Sequence, residues 1–238
     1  MWVERVWIES SSFPRNDVYP YSIAALRQDQ ELRFTDPVSF FVGENGSGKS
    51  TLLAAIARRA GLYVNARSVR ISEYVNPRER HLHPYLTLTY THGMVPGAFF
   101  SAENFREFAE FLDDASAVDP GLLRHFGSQR ITVLSHGEGI LSYFRSRYRL
   151  RGLYFLDEPE TALSPASQLE LLRLLRSVRK DGLAQFMIAT HSPILMSLPG
   201  AEIFFMDENG IRRTTLEDTA HYRLYRDFLA DPASFLAE

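Results

Sequence analysis

Apolar and polar positions alternate across WVERVWIE at residues 2–9, the period of a half-buried strand. ELRF (31–34) and VSFFV (38–42) follow, the second short and almost wholly apolar, with Pro37 where a strand can begin. A glycine-rich stretch then leads into KSTLLAAIARRA (49–60), rich in helix formers and closed by Gly61. Residues 62–100 are less regular: Asn76-Pro77, His83-Pro84 and Pro96-Gly97 break the pattern around a strand at YLTLTY (85–90). SAENFREFAEFLDD (101–114) carries Phe105, Phe108 and Phe111 at helical spacing, with Ser101 as its cap. SHGEGILSYFRSRYR (135–149) reads as a glycine turn opening a helix, and GLYFLDEP (152–159) as a buried strand ending in acids. SPASQLELLRLLRSVRK (164–180) is a capped amphipathic helix with proline at its start. AQFMIATHSP (184–193) is a second buried strand ending in a polar turn. From AEIFFMD (201–207) the tail gives a strand or hairpin and then a helix.

This order predicts one α/β domain over residues 1–238, with about 62–130 as a variable, helical insertion. A chain of 238 residues with 45% hydrophobic content can bury a sizeable core. The formal charge of -3 gives no global drive toward nucleic acid or anionic lipid. The absence of cysteine excludes disulfides, Cys-ligated zinc, a thiol nucleophile and a cysteine zinc hook. No apolar run approaches the roughly 20 residues that span a bilayer. MWVERVWIES carries Glu4, Arg5 and Glu9 and lacks the apolar core of a signal peptide, so the expected compartment is the cytoplasm.

The chemistry begins at Gly43-Glu44-Asn45-Gly46-Ser47-Gly48-Lys49-Ser50-Thr51, which fits G-x-x-x-x-G-K-[ST] between a strand and a helix. Polyphosphate is a dense anion. A tight glycine turn aims successive backbone N–H groups at it, and the helix that follows adds its positive end. Lys49 supplies a charge for the β- and γ-phosphates, and Ser50 a hydroxyl for Mg²⁺. LYFLDEPE ends a strand in Asp157, a second Mg²⁺ ligand through water, and Glu158, a general base for water. His191 follows Asp157 by 34 residues, one β-α-β crossover, and should emerge at the same sheet edge to meet the γ-phosphate. Ser135, Gly137 and Glu138 open a helix that either binds a further phosphate or is an ordinary capping turn. One chain already has its phosphate loop, so a second anion-binding helix start makes most sense facing the nucleotide of another subunit.

GENGSGKST, SHGEG, LDEPETALSP and THSP, in that order, resemble the ATP-binding-cassette (ABC) ATPase superfamily, and more closely its compact stand-alone bacterial members, AAA- and SMC-like without coiled-coil arms. The likeness extends to FFSAENF (99–105) and HYRLYRDFLADP (221–232). His136 stands where the family usually has glycine, and Ser101 where these bacterial relatives have arginine. The resemblance implies a P-loop NTPase fold: a mostly parallel central sheet flanked by helices, with a small antiparallel β portion near the N-terminus. It implies ATP and Mg²⁺ as ligands and a head-to-tail homodimer with ATP between the phosphate loop of one chain and Ser135–Gly137 of the other. Ala162 to Pro165 would cross that interface, and Gln129 or Glu103 would sense the γ-phosphate. Tyr19 and Tyr21 precede the loop, where relatives stack adenine, and are equally core residues.

About 80 residues separate Ser50 from Ser135, without sustained heptads, which excludes a long coiled-coil arm. The expected function is an ATP-hydrolysing dimer switch acting in DNA maintenance or defence, with an unidentified protein partner. The alternative is the energy subunit of a membrane transporter, which needs a separate membrane protein. RSRYRLR (145–151) and RSVRK (176–180) are the candidate nucleic-acid contacts, against solvated helix faces. A P-loop kinase is disfavoured because Glu158 suits water activation.

Overall fold

The computed structural model describes residues 2–62, 64, 81–91, 93, 96–102, 105, 136–148 and 150–236. The predicted helix at 101–114, apart from Ser101, Ala102 and Phe105, and most of the predicted insertion lie outside these residues.

Among the described residues two sheets form. β1 (Val3–Ile8) lies between β2 (Gln30–Arg33) and β4 (Leu86–Tyr90), antiparallel to both. The larger sheet has six strands in the order β5-β6-β7-β3-β8-β9, composed of β3 (Val38–Val42), β5 (Gly97–Ser101), β6 (Gly152–Asp157), β7 (Ala184–Ala189), β8 (Glu202–Asp207) and β9 (Gly210–Thr214). The first five run parallel and β9 returns antiparallel. The helices are α1 (Lys49–Arg59), α2 (His136–Arg147), α3 (Pro165–Asp181), α4 (Pro193–Met196), α5 (Ala220–Ala230) and α6 (Pro232–Leu236).

β3, β6 and β7 read as near-continuous apolar runs because both faces of a parallel sheet are covered. On one face Phe40, Tyr154, Leu156, Phe186 and Ile188 pack with Phe144 of α2 and Leu171 and Leu175 of α3. On the other Phe41, Phe155, Met187 and Ala189 pack with Leu52 and Ile56 of α1 and with Val6 and Ile8 of β1. The small antiparallel sheet and α1 thus form one outer layer, and α2 with α3 the other.

Two buried polar side chains fix the layers. Gln185, fully buried in β7, accepts from the backbone N–H groups of Trp2 and Val3 through Oε1 at 2.8 Å each and donates to the Val3 carbonyl at 2.9 Å. Glu202 of β8 accepts from Thr35 and Ser39 and pairs with Arg213 at 2.7 Å.

The observed elements follow the sequence pattern with shifts of one or two residues at their ends, as fraying allows. The exception is β5, a strand that the Pro96-Gly97 break concealed. Gly97 is there because the strands approach closely: a Cβ would stand 2.0 Å from the Leu153 carbonyl oxygen. Ser101 ends this strand. No helix among the described residues is long and apolar enough to cross a membrane.

Candidate functional site

β3 stops at Val42 and the chain turns back through residues 43–48, so that Lys49 opens α1. Gly48 takes φ of 98°, a left-handed conformation that favours glycine, and a Cβ would stand 2.6 Å from Ile23 Cγ2. Gly43 is buried, whereas Glu44, Asn45 and Gly46 form the exposed tip. Lys49 is 4% exposed, and its Nζ donates to the carbonyls of Gly43 at 2.9 Å and Glu44 at 3.1 Å. Burial lowers the Lys49 pKa, while the carboxylates of Glu158, Asp157 and Glu160 oppose the shift. Ser50 and Thr51 lie in the first turn of α1, and Thr51 Oγ1 is 2.6 Å from Tyr19 Oη. Tyr21 is a core residue, its ring 5.1 Å from Phe13 and 5.6 Å from Tyr85.

In the sheet β7 lies between β3 and β6, so the segments after these three strands emerge together at one edge. β6 ends in Asp157. Glu158 then adopts φ 46° and ψ 53°, and it is the one described non-glycine residue with positive φ. Its N–H donates to the Ala189 carbonyl at 2.9 Å, and its own carbonyl accepts from Thr161 N at 3.1 Å and Thr161 Oγ1 at 2.8 Å. Those bonds hold a backbone conformation that costs on the order of 1–3 kcal/mol. Pro159–Ala162 form a 3₁₀ turn that folds Glu160 back, and Glu160 Oε1 accepts from the His191 N–H at 2.6 Å. Burial raises the Glu160 pKa and the His191 N–H opposes that.

His191, just past β7, places Nε2 3.7 Å from Glu158 Oε1 and Nδ1 2.9 Å from His221 Nε2. Burial pushes the imidazole down to about 4, and Lys49 and then His221 reinforce the shift against Glu44. It is therefore neutral at pH 7. The following Ser192 caps α4 through Leu195 N at 3.2 Å, and its hydroxyl donates to Gln168 of α3 at 2.6 Å.

Lys49, Asp157, Glu158 and His191 thus gather at the carboxyl edge of three adjacent strands, beside the loop 43–51. Ser135, Gln129 and Glu103 lie outside the described residues. Gly137 and Glu138 open α2 against the 3₁₀ turn, where a Gly137 Cβ would stand 3.3 Å from the Ala162 carbonyl oxygen. Ser164 caps α3 and Pro165 begins it. Of the two basic stretches, Arg145 pairs with Glu170, and Arg179 pairs with Asp36 at 2.5 Å. Glu160 and His221 are absent from the sequence-derived site. Glu160 is the third acid of LDEPE, and only the turn after Pro159 returns it to the site.

A family profile described as "AAA domain, putative AbiEii toxin, Type IV TA system" matches residues 127–197, and one described as "AAA domain" matches residues 20–68. The chain is 30% identical over 169 residues to the thiamine import ATP-binding protein ThiQ of Cereibacter sphaeroides, a match spanning 64% of this chain and 69% of that protein. It is 26% identical over 165 residues to the ThiQ of Photobacterium profundum, spanning 64% of this chain and 66% of the relative. Among solved structures, cbiO1 from Clostridium perfringens, part of the ABC transporter complex cbiONQ, superposes with a TM-score of 0.56 at 16% identity, covering 97% of this chain and 96% of that one. An SmcHead bound to the C-winged helix domain of ScpA gives 0.54 at 15% identity, covering 91% and 99%. At such identities the structures speak for the fold alone.

Proposed function

Because the chain belongs to the ABC-type P-loop ATPases, we propose that it binds and hydrolyses ATP with Mg²⁺ and works as an ATP-sandwiched homodimer that opens after hydrolysis. The observation that carries this reading is the convergence of Lys49, Glu158 and His191 at one sheet edge, with Glu158 Oε1 3.7 Å from His191 Nε2.

In this reading Lys49 exchanges its bonds to the Gly43 and Glu44 carbonyls for β- and γ-phosphate oxygens, and the N–H groups of residues 43–51 cradle the rest. Ser47 Oγ and His191 Nε2 are buried and without a hydrogen-bond partner among the described residues, which suits a loop built to receive phosphate oxygens. Ser50 and Asp157 would hold Mg²⁺. One hydroxyl and one carboxylate fit an ion that draws its remaining ligands from phosphate and water. The bound ion would neutralise charge on the phosphates. Glu158 would take the proton of the water attacking the γ-phosphorus, and the bond to the β-γ bridging oxygen would break to release ADP. His191 Nε2 would donate to a γ-phosphate oxygen. Ser135, Gly137 and Glu138 of one chain would close on the nucleotide of the other, with Ala162 to Pro165 at the shared edge.

Static light scattering of Glu158→Gln with and without Mg-ATP tests this. Without its base the variant should hold ATP and shift from monomer to dimer only when ATP is present. A mass that ignores ATP, despite nucleotide binding, would remove the shared-site mechanism. A second reading, the energy subunit of a transporter, is favoured by the names of the two ThiQ relatives. It predicts co-purification with a membrane permease. A role on DNA predicts a salt-sensitive affinity that falls when residues 145–151 and 176–180 are neutralised. The defence reading is favoured by the toxin named in the profile over 127–197 and predicts a second protein retained only with ATP.

A further inference from the structure

His191 has a partner outside the phosphate loop, the acidic strand end and the SHGEG turn: His221, the first residue of HYRLYRDFLADP. α5 starts at the cap Thr219, whose hydroxyl accepts from Tyr222 N at 3.3 Å and donates to the Leu216 carbonyl at 2.7 Å. Two residues after the cap, His221 turns its ring edge-on to His191, with centroids 4.9 Å apart and Nε2 2.9 Å from His191 Nδ1. Beyond this point α5 is exposed: Leu224, Tyr225, Phe228 and Leu229 range from 40% to 72%. The start of the helix is therefore its attachment, and the attachment ends on the site histidine.

The hydrogen-bond chemistry of this contact has one favourable solution. A neutral imidazole carries a single N–H. If His191 kept its proton on Nδ1 and donated to His221, bare Nε2 would face the Glu158 carboxylate oxygen at 3.7 Å and, in the proposed reaction, a phosphate oxygen. Lone pair against anion is repulsive. With the proton on Nε2, Nδ1 must accept, and His221 Nε2–H is the donor aimed at it. The second nitrogen of a working histidine is set by the group it bonds, in the manner of orienting partners at metal and triad sites.

We propose that His221 is a positioning residue that holds His191 in the Nε2–H tautomer through the 2.9 Å contact, and so makes the seating of α5 a condition for turnover of ATP. The link to turnover rests on the γ-phosphate role of His191 given above. The tautomer itself does not, since Glu158 favours it without nucleotide.

The test pairs a spectroscopic readout with kinetics. ¹⁵N-edited spectra of histidine side chains in the nucleotide-free protein should show His191 protonated at Nε2 alone. His221→Phe should give a mixture of tautomers, and His221→Gln, whose amide N–H reaches as far as Nε2, should restore the single form. Turnover should fall roughly tenfold or more in His221→Phe and return to within about threefold in His221→Gln, with the Kd of a fluorescent ATP analogue changed by less than about twofold throughout. Should His221→Phe not fold, His221→Asn, whose amide stops short, replaces it with the same expectation. An unchanged His191 tautomer in these variants overturns the proposal. A changed tautomer with unchanged turnover upholds the positioning of His191 but overturns the condition on turnover, together with the role of His191 at the phosphate.

Discussion

The backbone N–H of His191 donates to Glu160 Oε1 at 2.6 Å, which ties the turn after the acidic strand end to the turn after its neighbour. Backbone bonds to a charged acceptor are worth about 1.5–3 kcal/mol. Glu160→Ala should therefore lower the unfolding free energy by about 1–3 kcal/mol in urea and, by loosening His191, cut kcat at least tenfold. Glu160→Gln keeps an acceptor at the same reach and should hold most of both. Equal turnover in the two variants would separate Glu160 from the geometry of the site.

Glu158 sits at φ 46°, where a β-carbon is strained. Such positions persist where function requires them. Asparagine tolerates this region better than glutamate. Glu158→Asn should thus raise stability by roughly 1 kcal/mol while it abolishes measurable hydrolysis, a trade of activity against stability. A melting temperature below that of the wild-type protein would show that Glu158 is held without strain.

How much of this was legible in the sequence depended on range. The loop 43–51 is a local device whose glycines, lysine and hydroxyls act within one turn, so its pattern is complete in the sequence. β6 and β7 are covered on both faces and read as unbroken apolar runs that end at Asp157 and just before His191. β5 escapes the sequence pattern because it is short and mostly half-buried, and its Gly97 serves strand contact yet reads as a break. His221 opens HYRLYRDFLADP, but no periodicity places a helix start 30 residues on against His191. Glu160 needed the left-handed Glu158 and the 3₁₀ turn, which are conformational facts without a residue signature. The two basic stretches read as charge runs, and only the packing shows Arg145 and Arg179 engaged by Glu170 and Asp36.

Gln185 offers a test of the fold away from the site. It satisfies two buried N–H groups at the start of the first strand, those of Trp2 and Val3, and donates to the Val3 carbonyl. Gln185→Leu matches its volume but leaves those groups unpaired at the junction of the two sheets. An unsatisfied buried donor costs about 1–3 kcal/mol, so a loss of about 2–5 kcal/mol is expected from urea unfolding. Hydrogen exchange should be fastest in β1 and little changed in β3. A uniform change across the sheet would mean that β1 is not a separable unit.

His191 also predicts how stability responds to pH. Its imidazole faces Lys49 of α1, Glu44 of the loop, Glu158 after β6 and His221 of α5, while Glu160 of the following turn holds its backbone N–H. The folded pKa is near 4 and the unfolded value near 6.5. Above 6.5 both states are neutral and His191 contributes nothing. As pH falls from 6.5 toward 4 the unfolded chain takes up a proton that the fold refuses, so stability is lost over that window, by roughly 1–2 kcal/mol at pH 5.5. Urea unfolding of wild-type protein and His191→Gln at pH 7.5 and 5.5 reads this directly. The variant should gain on the wild type by about that amount at the lower pH. A gap that stays constant between the two pH values would mean that the folded imidazole titrates normally and that its burial does not depress it.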